Sequence, residues 1–147
     1  MTNLPEVRPV FHVKPVNRKV DQIPDLKNRW ILYCGSSVHV CNNKDWFDTI
    51  APYQSELATG NSVTKGEGIG TARLAGRDPV TGQHRTLFLT NTLYVPGFHT
   101  NLVSYAKMRR LGAMWCQDTD IIIDINKLPV VKLQLVDLDL WVFDLPS

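Results

Sequence analysis

The sequence has no long apolar run, no large excess of charge of one sign and few cysteines. No run approaches the ~18 residues that a transmembrane helix requires, and the first ten residues lack the charged-then-apolar pattern of a secretion signal. The net charge of +2 is too small to predict a nucleic-acid partner. We therefore expect an intracellular protein, cytoplasmic or nuclear, without a membrane partner.

The three cysteines also exclude a disulfide scaffold. Cys34, Cys41 and Cys116 make an odd number without a framework spacing, which is typical of reduced thiols. Cys34, His39 and Cys41 fit no zinc spacing, so they are interpreted as small core residues on a strand and a surface histidine. We predict no metal site and no cofactor.

The composition is that of a globular domain. Of the 147 residues, 44% are hydrophobic, which is enough for one domain with its own core. Beyond the first 28 residues, short strand-like patterns alternate with glycine turns. One helix is predicted over residues 101–111, with Thr100 or Asn101 as its cap and Gly112 at its end. We predict a mainly β fold, a small closed barrel with one short helix, over residues 29–147.

The N-terminal segment differs from the rest of the chain. Residues 1–29 contain four prolines and carry six Lys/Arg against three Asp/Glu. We predict an extended basic arm over residues 1–28, outside the barrel. The alternation in Val10–Val13 would also allow an edge strand or pairing with another chain. A nucleic-acid tether through this arm is the weakest of the alternatives, since no basic stripe is present.

The turn after the apolar residues Trp30–Leu32 is the strongest candidate for a site, because catalytic groups often lie on loops at strand ends. No Gly-x-Ser-x-Gly frame surrounds Ser36 and Ser37, and residues two or three apart on a strand rarely form a Ser–His pair. No base that could activate Cys34 is identifiable. The residues alone therefore give this turn no recognisable catalytic group.

The ordered pieces of the chain resemble a known family. They are W-I-L-x-x-G-S-S-x-H-V from Trp30, D-W-F from Asp45, a glycine-rich hairpin, and L-x-N-T-L-Y-V-P-G-F-x-x-N-L-V-S-Y-x-K-M-x-x-L-G ending at Gly112. This order resembles the protease region of copia-type LTR retrotransposon polyproteins, a branch of the retropepsin-like aspartic proteases. The resemblance covers residues 29–145.

The resemblance implies a β barrel that pairs as a homodimer, each subunit supplying one aspartate from an Asp-Ser/Thr-Gly turn. Two such carboxylates share a proton and act as base and acid. Here Gly35 matches the motif glycine and Ser36 follows it, but Tyr33 occupies the aspartate position and Cys34 the hydroxyl position. A phenol with a pKa of about 10 cannot act as the general base at neutral pH. The implied site is therefore degenerate, with no intact catalytic residue.

The resemblance also implies a flap over the bound peptide, from Ala58 to Leu74. Its tip, and the predicted peptide contacts, are Gly66, Glu67, Gly68, Ile69 and Gly70. Binding by strand addition under a flap does not need the aspartates. We interpret the chain as a catalytically inactive, retrotransposon-derived module, either domesticated or a fragment of a longer protein. It would bind or scaffold a protein or peptide partner, with a homodimer as one form. The alternative is an aspartic endopeptidase that cleaves a polyprotein through a non-standard or mutated site.

Overall fold

The fold is described from a computed structural model, for residues 8–14, 25–116, 118–136 and 140–143. The first six strands are β1 (Val10–Val13), β2 (Trp30–Tyr33), β3 (Val40–Cys41), β4 (Phe47–Thr59), β5 (Ser62–Arg77) and β6 (His84–Tyr94). They are followed by β7 (Asn101–Ser104), helix α1 (Tyr105–Arg110), β8 (Met114–Cys116), β9 (Ile121–Ile123), β10 (Pro129–Val136) and β11 (Leu140–Phe143). No helix within these ranges is long and apolar enough to cross a membrane.

All of these strands share one sheet, in the order β1-β4-β5-β6-β3-β7-β2-β11-β10-β9-β8. The predicted mainly β fold with one short helix is therefore confirmed. The sheet differs from the predicted closed barrel, because the described strands leave β1 and β8 at its two ends. Among the described residues, one isolated antiparallel bridge also joins Val13, at the end of β1, to Ser36 in the turn after β2.

The apolar start of the domain is explained by β2, which is buried on both faces. Trp30 and Leu32 pack into one core cluster and Ile31 into the other. This alternation follows from the two-residue period of a strand. β2 pairs in parallel with β7 and antiparallel with β11, so it lies inside the sheet and positions the turn that follows it.

The helix predicted over residues 101–111 begins later than expected. Its first four residues, Asn101–Ser104, form β7, are fully buried and pair with β2. Ser104 caps α1 in place of the two predicted residues, since its hydroxyl accepts a hydrogen bond from the backbone N–H of Lys107 at 3.2 Å. The predicted helix start was wrong because pairing with β2 satisfies the backbone groups of this segment first.

Part of the predicted N-terminal arm belongs to the sheet. β1 pairs in parallel with β4, with Val10 opposite Glu56 and Val13 opposite Thr59. The side chain of Val13 is only 3% exposed. The edge-strand alternative is therefore confirmed for this segment, in contrast to the arm that we expected outside the barrel. Residues 25–28 of the predicted arm also belong to the domain, since Leu26 is buried in the same core cluster as Val13. Residues 1–7 and 15–24 of the arm lie outside the described ranges.

Candidate functional site

The predicted site is the turn at residues 33–37, which directly follows the central strand β2. The hydroxyl of Tyr33 donates a hydrogen bond to the backbone carbonyl of Lys14. Burial raises the pKa of Tyr33 above its ordinary value, and the neighbouring Cys34 raises it further. The phenol is therefore neutral at physiological pH and already engaged as a donor, so it provides no general base.

A glycine is required at position 35 because the side chains of Tyr33 and Lys14 leave no room for a Cβ atom. A Cβ atom at Gly35 would lie 2.7 Å from Cε2 of Tyr33 and 2.9 Å from Cβ of Lys14. The backbone N–H of Lys14 donates to the carbonyl of Gly35 at 3.1 Å. Two hydrogen bonds to Lys14 thus hold residues 8–14, which we call the N-terminal strap, across the turn.

A buried polar cluster lies next to the turn and consists of Ser36, His39 and Ser104, each at most 4% exposed. Nδ1 of His39 accepts a hydrogen bond from the backbone N–H of Ser104 at 2.9 Å. The Ser104 hydroxyl donates to the carbonyl of Ser36 at 2.6 Å, and the Ser36 hydroxyl donates to the carbonyl of Val38 at 2.7 Å. Both hydroxyls thus donate to backbone carbonyls, so the cluster lacks the nucleophile–base contact of a catalytic pair.

His39 is not the surface residue that the sequence predicted. Burial lowers the pKa of its imidazole to about 3, and the charge of Lys107 contributes in the same direction. Because Nδ1 accepts a hydrogen bond, the proton of this neutral ring is on Nε2.

The cysteines contribute no metal centre that the described residues reveal. Cys34 is exposed, Cys41 is buried and Cys116 is half-buried, and all three are free. Burial raises the pKa of the Cys41 thiol to about 12, so it is an unreactive core residue. Within the described ranges, no three His, Cys, Asp or Glu side chains are grouped to hold a metal ion.

The predicted flap is a hairpin, but its tip lies elsewhere. β4 and β5 are joined by a turn at residues 60–61, whereas Gly66–Gly70 lie within β5 and pair with β4. The predicted tip was wrong because these glycines serve close packing rather than turning. Cβ atoms on the first and last of them would overlap the hydroxyl of Ser55 and the carbonyl of Thr49.

The structure brings some of the predicted site residues together. Ile69 and Tyr33 pack against the same core cluster. Glu67 lines a hollow of about 370 Å³. The residues around this hollow are Lys44, Ile50, Ala51, Pro52, Glu67 and Tyr94. Burial raises the pKa of Tyr94, and the negative charge of Glu67 adds to that effect. The flap segment therefore contributes one carboxylate to an open surface, while its glycines are used inside the hairpin.

Another hollow, which we call the tryptophan hollow, was not predicted from the sequence. It has a volume of about 310 Å³ and is lined by Trp30, Trp46, Arg73, Ala75 and Thr86. The two indoles stack with their centroids 6.1 Å apart and their planes 28° apart. Nη2 of Arg73 donates to the carbonyl of Asp45 at 2.9 Å, which holds the guanidinium at the rim. The D-W-F fragment of the sequence was the only indication of this surface.

Comparison with known proteins bears on the same region. A family model described as "Pol polyprotein, beta-barrel domain" matches residues 30–113, which is more than half of the chain. The match begins at the first residue of β2 and includes the Tyr33 turn, the β4–β5 hairpin and α1. Neither a search of curated proteins nor a search of solved structures found a significant match.

Proposed function

Because the chain belongs to the family of Pol polyprotein β-barrel domains, we propose that it is a retroelement-derived binding module with a degenerate catalytic turn. In this proposal it derives from the copia-type, retropepsin-like branch. It holds an extended peptide segment by strand addition and cleaves no substrate. Its partner is a protein or peptide, which includes a second copy of the chain.

The observation that carries this proposal is the N-terminal strap, an extended segment that the sheet already holds beside the turn. The backbone N–H of Glu56 donates to the carbonyl of Pro9 at 2.9 Å, and β1 continues in register along β4. At the end of the strap, Val13 is buried and bridges to Ser36. Main-chain hydrogen bonds together with a buried alternate side chain are the means by which strand addition captures peptides. In this chain the site is filled by the chain's own segment.

The chemistry at the turn supports a role without catalysis. Tyr33 donates to the strap, and the buried His39 is neutral at physiological pH. We expect no cleavage of a peptide library at acidic or neutral pH, either by the natural chain or by Tyr33→Asp. Cleavage by the natural chain would contradict the proposal and favour the endopeptidase alternative.

A partner segment enters the site when the strap leaves it, and the strap of a second copy can take the same place. The strap competes as an intramolecular ligand, and a short tether gives such a ligand an effective concentration on the order of millimolar. Variants that weaken or lock the strap should therefore change peptide binding in opposite directions.

The test uses a fluorescent peptide with the sequence of residues 8–14. Val13→Ala removes part of the buried anchor and should increase peptide binding by about tenfold. Val13→Cys with Ser36→Cys, in a Cys34→Ser background, joins two cross-strand neighbours and should abolish binding when oxidised and restore it on reduction. Val13→Cys in the same Cys34→Ser background is the control for oxidation. Equal binding in the oxidised and reduced states would contradict the proposed site.

A further inference from the structure

The hairpin of β8 and β9 presents apolar side chains on the side of the sheet away from the core. Met114 is opposite Ile123 in this pairing. Cys116 is opposite Ile121. Because side chains alternate along a strand, these four lie on the side opposite to Ile122, which is fully buried in a core cluster. None of the four belongs to either core cluster of the described residues.

The same surface continues to Ile125, which lies over Gly112. A Cβ atom at Gly112 would be 2.8 Å from Cβ of Ile125. Ile125 is 73% exposed and Met114 is 46% exposed, while the other members are half-buried. We call this surface the apolar face, and its residues are Met114, Cys116, Ile121, Ile123 and Ile125. Apolar side chains that are exposed side by side in this way are typical of an interaction surface.

The face, rather than the strand edge beside it, is the accessible part of this hairpin. The backbone N–H of Trp115, in the middle of β8, donates to the hydroxyl of Tyr105 at 3.1 Å. The two rings also pack edge to face, with their centroids 6.5 Å apart. Helix α1 therefore already uses a backbone donor that strand addition to β8 would need. A partner of this region is expected to contact side chains.

The two ends of the apolar face carry opposite charge. The exposed basic side chains beyond the Ile125 end are Arg109, Arg110 and Lys127. The carboxylate of Asp124 is at the same end, but it accepts hydrogen bonds from two backbone N–H groups of its own turn. The charged residues at the Ile121 end are Asp118 and Asp120, with Lys132 opposite Ile121 on β10. One end is therefore basic overall and the other is acidic overall.

We infer that the apolar face is an interface between two copies of this chain, packed face to face about a twofold axis that crosses the strands. Such an axis reverses the strand direction, so the basic end of each copy lies over the acidic end of the other. The apolar side chains interdigitate between these ends, as in packed sheets. A twofold interface must be complementary to itself, and opposite charges at opposite ends meet that requirement.

This interface is separate from the site of the proposed function. Residues 114–125 follow the segment 30–113 that the family model matches, and they include neither the Tyr33 turn nor the N-terminal strap. A dimer formed through the apolar face therefore leaves the strap in place. A dimer formed by exchange of straps would instead need the strap to leave its own sheet.

A lipid surface is another occupant that an exposed apolar face with basic neighbours can have. It is the weaker match, because Asp118 and Asp120 would meet the same anionic headgroups as the arginines. In the twofold arrangement each of these carboxylates faces the basic end of the other copy. The charge pattern therefore favours a second copy.

Sedimentation equilibrium of the full chain at several concentrations measures the dissociation constant of the dimer. Met114→Glu brings two like charges together near the axis and should weaken dimerisation at least about tenfold. Leu135→Glu is the matched control, since Leu135 is also 46% exposed but lies on the same side of β10 as the buried Leu133. Arg110→Glu and Asp118→Lys should each weaken dimerisation about three- to tenfold. The double variant should restore it to within about threefold.

These results together would support the interface. A chain that is monomeric at all concentrations would overturn it, and binding of that monomer to phosphatidylserine vesicles would assign the face to a lipid surface. Equal weakening by Met114→Glu and Leu135→Glu, or a double variant without restoration, would also overturn it. Thermal melting checks that each variant is folded, and Ile125→Glu repeats the test at the most exposed position of the face.

The oxidised lock between residues 13 and 36 separates this inference from the proposed function. The lock prevents strap exchange and should leave the dimer intact, although it abolishes binding of the strap peptide. A non-reducing gel confirms that the lock is intramolecular. Loss of the dimer in the locked chain would assign it to strap exchange and would overturn the inference.

Discussion

Two strand edges of one ribbon differ in what covers them. At one end, the N-terminal strap pairs with β4, anchored by the buried Val13. At the other end, residues Arg73–Arg77 of β5, which we call the open edge, pair with β6 alone among the described strands, and the exposed Arg73 lines a hollow together with Trp46. The comparison shows that the turn marked by the family motif is the closed end of the ribbon. The strand edge without a described partner lies where the sequence has no motif.

The two ends differ physically in how far their polar side chains are buried. Next to the strap, three polar side chains are buried and their hydrogen bonds go to backbone groups. A buried group that loses its partner costs stability, so this end depends on staying closed. At the open edge, the Arg73 side chain is exposed, so water can replace its hydrogen bond to the Asp45 carbonyl. Substitutions at the closed end should therefore cost more stability than a substitution of the exposed Arg73.

The largest of the expected effects is the loss of stability in acid, which arises at the closed end from protonation of His39. The pKa of His39 is about 3 in the folded chain, against about 6.5 for an ordinary histidine. Protons therefore bind the unfolded chain more tightly. The stability that His39 contributes is complete above about pH 6.5 and is lost as the pH falls toward 3, a total of about 5 kcal/mol.

Urea unfolding at pH 7, 5 and 4 measures the part of this loss that occurs above pH 4. His39→Asn is the control, because its carboxamide oxygen can accept the same backbone hydrogen bond without titrating. We expect this variant to be less stable at pH 7 and to depend less on pH. A natural chain and a variant with parallel pH profiles would show that His39 does not titrate on unfolding.

A charge at Val13, the buried anchor of the strap, should lower the stability of the protein and free the strap from the sheet. Val13→Asp places a carboxylate in the core cluster that Val13 now fills, and should cost about 3 kcal/mol of unfolding free energy. Val10→Asp, on the exposed part of the same strand, should change stability by no more than about 0.5 kcal/mol. Denaturant melts of both variants test the anchor. Equal costs would mean that the strap is not held by Val13.

Tyr33→Phe tests the same end of the ribbon, with a smaller expected loss of unfolding free energy than Val13→Asp. It removes the hydroxyl that donates to the Lys14 carbonyl and keeps the ring, so we expect a cost of about 1 kcal/mol. Hydrogen exchange of the Lys14 amide, which bonds to Gly35, should become faster. An unchanged exchange rate would show that the hydroxyl does not hold the strap.

The smallest effect on stability is expected at the open edge. Arg73→Gln removes a charge from an exposed side chain whose hydrogen bond to the Asp45 carbonyl is at the surface. We expect a change in unfolding free energy of no more than about 0.5 kcal/mol, measured by denaturant melts. A cost above about 1 kcal/mol would show that this edge is also structural, and the contrast between the two ends would not hold.

The sequence predicted the class of fold but not the positions that pairing decides. Strand-like alternation and one capped helical segment were sufficient for a mainly β fold with one helix. The residues Asn101–Ser104 fit a helix start as well as a strand, and only their partner β2 makes them a strand. Long-range pairing of this kind overrides local propensity.

At the candidate site, too, the sequence predicted local features but not the contacts between distant segments. The frame around Gly35 located the turn, but it gave no indication that Lys14 lies across it. The glycines of β5 were interpreted as a turn, although their small size is needed by Ser55 and Thr49 of the neighbouring strand. The open edge depends on where β4 begins opposite β5, and a register between two strands cannot be read from either strand alone.

The place of β2 in the sheet has a consequence for the speed of folding. Its two neighbours, β7 and β11, come from much later in the chain, with Trp30 beside Asn101 and Ile31 beside Val142. Each pairing must close a long loop before it gains any contact energy, and chains dominated by such pairings fold in milliseconds to seconds rather than microseconds. The β4–β5–β6 ribbon, made of local hairpins, can form early. The centre of the sheet, and with it the motif turn, is completed only when the last strand arrives.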